Sequence, residues 1–136
     1  MNKAQRIIGK LPPWILTAVT TVAILWLTLA PRPLGDLKPE LFPGADKVVH
    51  AIMFGGLALM IFVDRSRAHG WSRIPLSFMI ISTVAVMAFG VGIEFLQEMM
   101  HAGRSFDVCD IWADITGAAL SAILWTLLTR FYYGAR

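Results

Sequence analysis

The stretch LSFMIISTVAVMAFGVGI, residues 76–93, decides the fold of this chain, because it carries no charged side chain and ends directly before Glu94. Comparable apolar runs occupy residues 14–30, 48–63 and 111–128. A helix needs roughly 17 to 25 apolar residues to cross a hydrocarbon core about 30 Å thick, and backbone groups in lipid must be satisfied within their own segment. The runs therefore predict an all-α membrane protein, a bundle of four transmembrane helices.

The composition agrees with this prediction. Of the 136 residues, 57% are hydrophobic and 15% are charged, and the mean hydropathy is +0.65. Such values are too apolar for a soluble domain of this size. We interpret residues 1–136 as a single membrane domain. The lone cysteine, Cys109, excludes an internal disulfide.

The basic residues predict the orientation of the chain in the membrane. Eight Lys and Arg residues lie on the side of the N-terminus and four on the opposite side, if the four runs alternate in direction. Because cytoplasmic segments carry the excess of these residues, both termini are expected in the cytoplasm. The basic leader and Pro31 after the first run indicate an uncleaved anchor. The net charge of +3 then reflects topology, and no nucleic-acid partner is expected.

The connecting segments give further expectations. Residues 31–44 contain several prolines and are predicted to form a stiff outer loop. Residues 64–74 are predicted to form a short basic loop, and Asp36, Glu40 and Asp64 to be solvated loop charges. Asp107 is a good N-cap candidate for the last helix. Small residues are expected to permit close helix contacts at Gly55, Gly56, Gly90, Gly92, Gly117, Ala118 and Ala119.

Ionisable residues gather at one end of three of the apolar runs, and in the predicted topology these ends share the extracytoplasmic side. A charged side chain toward the centre of a membrane helix costs roughly 2.5 to 3.5 kcal/mol on insertion scales, so these residues need partners, a bound ion or water. Helical spacing places each set on one face of its helix. The predicted functional polar cluster consists of Asp46, Lys47, His50, Glu94, Gln97, Arg104, Asp107, Asp110 and Asp114.

Acids outnumber bases in this set, so it requires held protons, a divalent cation or a cationic partner. One interpretation is a salt-bridged plug that only fixes helix packing. Another is a proton relay in a small proton-coupled carrier. A third is a metal site, for which the candidate ligands are His50, Glu94, Asp110 and Asp114.

The same residues form an ordered pattern. It reads Asp46-Lys47-x-x-His50-x-x-x-Phe54-x-x-Leu57, then Glu94-x-x-Gln97, then Gly103-Arg104-Ser105-Phe106-Asp107-x-x-Asp110-x-x-x-Asp114-x-x-Gly117. This pattern resembles the VanZ-like family of bacterial membrane proteins over about residues 45–120. The resemblance implies a multi-pass protein of the bacterial inner membrane. It also implies a link to teicoplanin susceptibility, since the family is named for a member that lowers susceptibility to this glycopeptide.

The preferred hypothesis is an outward-facing pocket that engages the headgroup of a cell-envelope lipid or a lipid-linked precursor. Lys47 and Arg104 would contact phosphate or carboxylate groups, and the acids would hold a cation or accept hydrogen bonds from sugar and peptide groups. The alternative is a metal-assisted hydrolase or transferase acting on a lipid-linked substrate. In that case Glu94 or Asp114 would be the general base, and His50 a metal ligand or general acid.

Overall fold

The computed structural model describes residues 3–31, 42–101 and 105–134, with side chains as far as residue 131, and every regular element within these residues is an α-helix. The helices are α1 (Lys3–Ile8), α2 (Ile15–Leu29), α3 (Ala45–Ala68), α4 (Leu76–Met100) and α5 (Val108–Gly134). α3, α4 and residues 108–131 of α5 are long and apolar enough to cross a membrane, and α2 is a shorter apolar helix. The all-α prediction is confirmed, with three long candidate spans and one shorter apolar helix.

α3 is the central helix of the bundle. It packs most extensively against α5, and it also contacts α2 and α4. Large apolar side chains such as Val22, Ile52 and Ile81 point outward, as expected where lipid surrounds the protein. The buried apolar residues between the helices are Ile24, Phe54, Leu57, Ala58, Phe62, Val86, Ile93 and Ala118.

α3 and α5 touch through their backbones, which explains the small residues on their facing sides. A Cβ atom on Gly117 would lie 2.1 Å from the Ala51 carbonyl oxygen, and one on Gly55 would lie 2.9 Å from the Gly117 carbonyl oxygen. The Ser121 hydroxyl donates a 2.8 Å hydrogen bond to the Gly55 carbonyl across the same contact. By contrast, a Cβ on Gly56 would meet nothing within 4 Å. On α3 the predicted close contact therefore holds for the face that carries Gly55 and not for the face that carries Gly56.

Helix ends differ from the sequence prediction at one important place. α3 continues to Ala68, so Asp64 lies inside a helix, where it is fully buried. The prediction of a solvated loop charge at Asp64 is wrong, because this carboxylate has partners within the protein. At the start of α5, Asp107 Oδ1 accepts a 2.7 Å hydrogen bond from the Cys109 N–H, which confirms the N-cap. Asp36 and Glu40 lie outside the described residues.

Candidate functional site

Three helix ends meet at one end of the bundle. They are the first turns of α3 and of α5 and the C-terminal part of α4, and ionic contacts between side chains join the first two. A backbone-to-side-chain hydrogen bond joins α4 to the residue that caps α5. The side chains gathered there are called the polar cluster, and they are Asp46, Lys47, His50, Glu94, Asp107, Asp110 and Asp114.

Lys47 lies at the outer rim of the polar cluster, where three carboxylates share its ammonium group. Its Nζ is 2.8 Å from Asp46 Oδ2 and 2.6 Å from Asp110 Oδ1, and it also contacts Asp107 Oδ2. The Asp46 and Asp107 side chains are 61% and 41% exposed. The rim is therefore open to its surroundings, and the positive charge of Lys47 is already paired within the protein.

His50 lies below the rim and is buried. Its Nδ1 is 3.0 Å from Asp114 Oδ1, and its Nε2 is 3.7 Å from Asp110 Oδ2. The ring of Phe54, one helical turn further along α3, stacks against the imidazole with 14° between the ring planes. Asp114 and Phe54 thus fix the orientation of the imidazole, and they leave its Nε2 directed toward Asp110.

Glu94 and Asp114 form the base of the polar cluster, with exposed fractions of 0% and 1%. Glu94 Oε2 accepts a 2.9 Å hydrogen bond from the Asp107 N–H. Glu94 Oε1 and Asp114 Oδ2 have no hydrogen-bond partner among the described residues. Buried carboxylate oxygens without partners are costly. They mark the base of the cluster as the place where a further donor or a cation would be stabilised.

Gly90 makes room for Asp114 on the facing helix. A Cβ atom on Gly90 would lie 2.6 Å from Asp114 Oδ2 and 3.0 Å from its Cβ. Because real Cβ atoms do not approach other atoms so closely, only glycine fits here without a shift of α4 or of Asp114. The position of Asp114 beside His50 therefore depends on a glycine in another helix.

The electrostatic balance of the polar cluster is negative, since its carboxylates outnumber Lys47 and His50. Asp107, which precedes α5, is stabilised in its charged form, because the hydrogen bond from Lys47 holds the pKa of this carboxyl below its usual range. Acceptor oxygens thus exceed donor groups. Chemically, the cluster suits groups that donate hydrogen bonds or carry positive charge.

Within the described part of the chain, two sets of side chains are placed so that each set could share a metal ion. In each set, one ligand atom from every residue lies within 4.8 Å of the others. The inner set is His50, Glu94 and Asp110, and the outer set is Asp46, Asp107 and Asp110. Asp114, a candidate ligand from the sequence, instead contacts the imidazole of His50. The structure thus separates the candidate ligands into a group that could coordinate an ion and a residue that orients His50.

Of the remaining residues predicted for the site, one lies elsewhere and one is outside the described residues. The Gln97 side chain is buried and its Nε2 donates a 2.8 Å hydrogen bond to the Thr28 carbonyl of α2. It therefore joins α4 to α2 near the end of that helix. Arg104 lies outside the described residues, so the contact that the sequence predicted for it stays a prediction.

A second buried polar group, which was not predicted from the sequence, joins α3 to the N-terminal part of the chain. Asp64 Oδ2 accepts 2.8 Å hydrogen bonds from both the N–H and the hydroxyl of Thr17, and Asp64 Oδ1 is 2.7 Å from Arg67. The Arg67 guanidinium also donates to the carbonyls of Ile8, Leu11 and Pro12. The i, i+3 spacing of Asp64 and Arg67 was a signal that could have indicated an ion pair on one helix.

The comparisons with known proteins agree with the fold and with the motif. A family model described as VanZ/LLP1 matches residues 5–129, which extends the sequence resemblance to α1 and α2. No curated protein and no solved structure matches the chain. Together with the apolar helices of the bundle, this match shows that the chain belongs to the VanZ/LLP1 family and is a multi-pass membrane protein.

Proposed function

We propose that this VanZ/LLP1 protein is a four-helix bundle of the bacterial cytoplasmic membrane, with both termini inside and the polar cluster at the extracytoplasmic surface. The distribution of Lys and Arg supports this orientation. The Gln97–Thr28 hydrogen bond supports α2 as the fourth crossing, since it joins the C-terminal end of α2 to the C-terminal part of α4. Three crossings would leave the termini on opposite sides, whereas four keep them together.

In this proposal the polar cluster engages the headgroup of a cell-envelope lipid or of a lipid-linked precursor. The observation that carries it is the surplus of acceptor oxygens in a cluster that is open at Asp46 and closed at Glu94. Hydroxyl, ammonium and peptide N–H groups of a headgroup would supply the missing donors. A lipid-linked precursor carries such groups on its sugars and peptide. The lipid can reach the cluster from the membrane itself.

The structure changes the role that we assign to Lys47. Because Asp46, Asp107 and Asp110 already share its ammonium group, Lys47 organises the rim and has little attraction left for a phosphate. Direct contact with an anionic group is left to Arg104 in this proposal. Headgroups that present donors should therefore bind better than simple anionic phospholipids.

The experiment is to identify the lipids that co-purify with the protein in mild detergent. We expect a specific headgroup class with the wild type and about tenfold less of it with Asp110→Asn, because one charge-assisted hydrogen bond is worth roughly 1.5 to 3 kcal/mol. Glu98→Gln is the matched control, since Glu98 lies at the same end of α4 and accepts a hydrogen bond from the Phe106 N–H. Identical lipid profiles for all three proteins would overturn the proposal.

The family resemblance also motivates a test of phenotype, since it connects the chain to teicoplanin susceptibility. Cells that depend on this chain are expected to change their teicoplanin susceptibility when Asp110→Asn replaces the wild type, with equal amounts of protein in the membrane. Equal susceptibility would contradict a link between this chain and teicoplanin. Lipid binding would still be tested by the co-purification experiment.

A second candidate function is a metal-assisted hydrolase or transferase acting on a lipid-linked substrate. The observation that favours it is the buried His50–Asp114 pair, in which a carboxylate orients an imidazole whose other nitrogen stays available. Glu94 would serve as the general base. Turnover of a lipid-linked substrate by the purified protein, abolished by Glu94→Gln, would establish this function. Binding without turnover would leave the protein a headgroup-binding protein.

A further inference from the structure

We propose that a divalent transition-metal ion binds at the base of the polar cluster, with His50, Glu94 and Asp110 as its ligands and Asp114 as the residue that orients His50. This inference deepens the proposed function and shares its site, because the ion would be the group through which the cluster holds a headgroup oxygen. Binding of the ion itself requires no lipid.

The first support is the distances. One ligand atom from each of His50, Glu94 and Asp110 lies within 4.8 Å of the other two. His50 Nε2 and Asp110 Oδ2 are 3.7 Å apart, which is too long for a hydrogen bond between them. Two ligand atoms bound to one ion at about 2.1 Å lie roughly 3 to 3.5 Å apart. For the His50–Asp110 pair the distance exceeds this range by only a few tenths of an ångström.

The second support is a buried, unpartnered oxygen on one of the three residues. Glu94 is fully buried and its Oε1 has no hydrogen-bond partner among the described residues. The opposite oxygen, Oε2, is already fixed by the Asp107 N–H. The carboxylate is thus held in place at one side and bare at the other, as a metal ligand would be. A helix-packing role alone gives no reason to bury a bare carboxylate oxygen.

The third support is the contact between Asp114 and the Nδ1 atom of His50. Metal-bound histidines usually donate their other ring N–H to a carboxylate, which fixes the ring and makes it a better ligand. Asp114 Oδ1 lies 3.0 Å from His50 Nδ1 and is almost completely buried. This contact leaves Nε2 directed toward Asp110. Asp114 is therefore a positioning residue in the proposed site.

The donor set indicates the class of ion. One imidazole nitrogen and two carboxylates suit Zn²⁺, Mn²⁺ or Fe²⁺ better than Ca²⁺ or Mg²⁺, which prefer oxygen ligands alone. Three protein ligands leave a coordination position open for water or for a ligand oxygen. The outer set of Asp46, Asp107 and Asp110 is a weaker candidate, because the Lys47 ammonium already contacts all three of its carboxylates.

The test uses the full-length protein in detergent after treatment with a chelator, with Zn²⁺ or Mn²⁺ alone as the probe. We expect about one equivalent per chain by elemental analysis after desalting. His50→Ala and Glu94→Gln should each lower the affinity by more than tenfold, and Asp114→Asn by about 10- to 100-fold although it keeps all three ligands. Glu98→Gln should bind as the wild type does. Circular dichroism and size-exclusion profiles identify variants that fail to fold.

Absence of tight binding by the folded wild type would overturn the inference. So would unchanged affinity in the His50→Ala and Glu94→Gln variants, since binding would then occur elsewhere. These results are distinct from the outcome for the proposed function. A protein that selects lipids through Asp110 but binds no metal contradicts this inference alone, whereas stoichiometric metal with no selected lipid contradicts only the headgroup proposal.

Discussion

Asp114 lies between the imidazole of His50 and the backbone of Gly90, so both its size and its charge matter at the scale of single residues. Its Oδ1 contacts His50, and its Oδ2 occupies the space that a side chain at position 90 would need. A larger group at position 90 must displace the carboxylate or separate the helices. Gly90 is thus part of the candidate site although it carries no functional group.

Gly90→Ala is expected to destabilise the protein by about 1 to 3 kcal/mol, because an added methyl group in a packed interior forces such shifts. Gly92→Ala is the matched control on the same helix, since a Cβ at position 92 meets nothing within 4 Å. That change should be neutral or should stabilise α4 by roughly 0.5 to 1 kcal/mol. Thermal unfolding of the two variants in detergent provides the comparison, and equal melting temperatures would contradict the described packing.

At the scale of helices, α3 supplies residues to the polar cluster at one end and to the Asp64–Arg67 ion pair at the other. Its first turns supply Lys47 and His50 to the polar cluster, and its last turns supply Asp64 and Arg67 to the contacts with Thr17. The Arg67 guanidinium donates a hydrogen bond to the carbonyl of Ile8 at the end of α1. It also donates to the carbonyls of Leu11 and Pro12 in the segment before α2. These hydrogen bonds attach the segment that leads into α2 to α3.

Asp64→Ala should destabilise the protein by about 3 to 5 kcal/mol, because it leaves the buried Arg67 without its counter-ion. Asp46→Ala, at the other end of α3, is the control. Its exposed carboxylate shares Lys47 with Asp107 and Asp110, so its removal should cost roughly 0 to 1 kcal/mol. Chemical unfolding of both variants measures the difference. Similar losses would contradict the burial assigned to Asp64.

Helical periodicity predicted the polar faces of α3 and α5, which meet in the structure, because it depends only on neighbours along the chain. For Asp64 the i, i+3 spacing indicates the pair with Arg67, but the contact with Thr17 on another helix could not be predicted from it. Periodicity also grouped Gln97 with Glu94. Residues three apart differ by about 60° around a helix, which is enough for Gln97 to face α2 while Glu94 faces α5. The direction that such a side chain faces depends on contacts between helices, and the periodicity of a single helix gives no information about these contacts.

At the scale of the whole molecule, the proposed orientation places the polar cluster and the Asp64–Arg67 ion pair at opposite membrane surfaces. Cys109 is the lone cysteine of the chain, and it is exposed in the first turn of α5 beside the polar cluster. Ser72 is exposed between α3 and α4, at the end of the bundle that carries Asp64 and Arg67. The two positions therefore report on the two sides of the membrane.

A membrane-impermeant thiol reagent should label Cys109 in intact spheroplasts. It should not label Ser72→Cys in a Cys109→Ser background until the membrane is opened, because that position is expected in the cytoplasm. Labelling of the Ser72→Cys thiol in intact spheroplasts would reverse the proposed orientation. Labelling of denatured protein checks that both thiols are present in equal amounts.

The length of α2 has a consequence for the bilayer around the proposed site. Its 15 residues rise about 22 Å, against a hydrocarbon thickness of roughly 30 Å. In the proposed topology α2 crosses the membrane, and a crossing this short would be accommodated by local thinning of the bilayer. The thinned region would then lie beside the C-terminal part of α4, which supplies Glu94 and contacts α2 through Gln97. Lipid headgroups would sit deeper there than elsewhere, so a buried set of acids could meet them without leaving the interior of the protein.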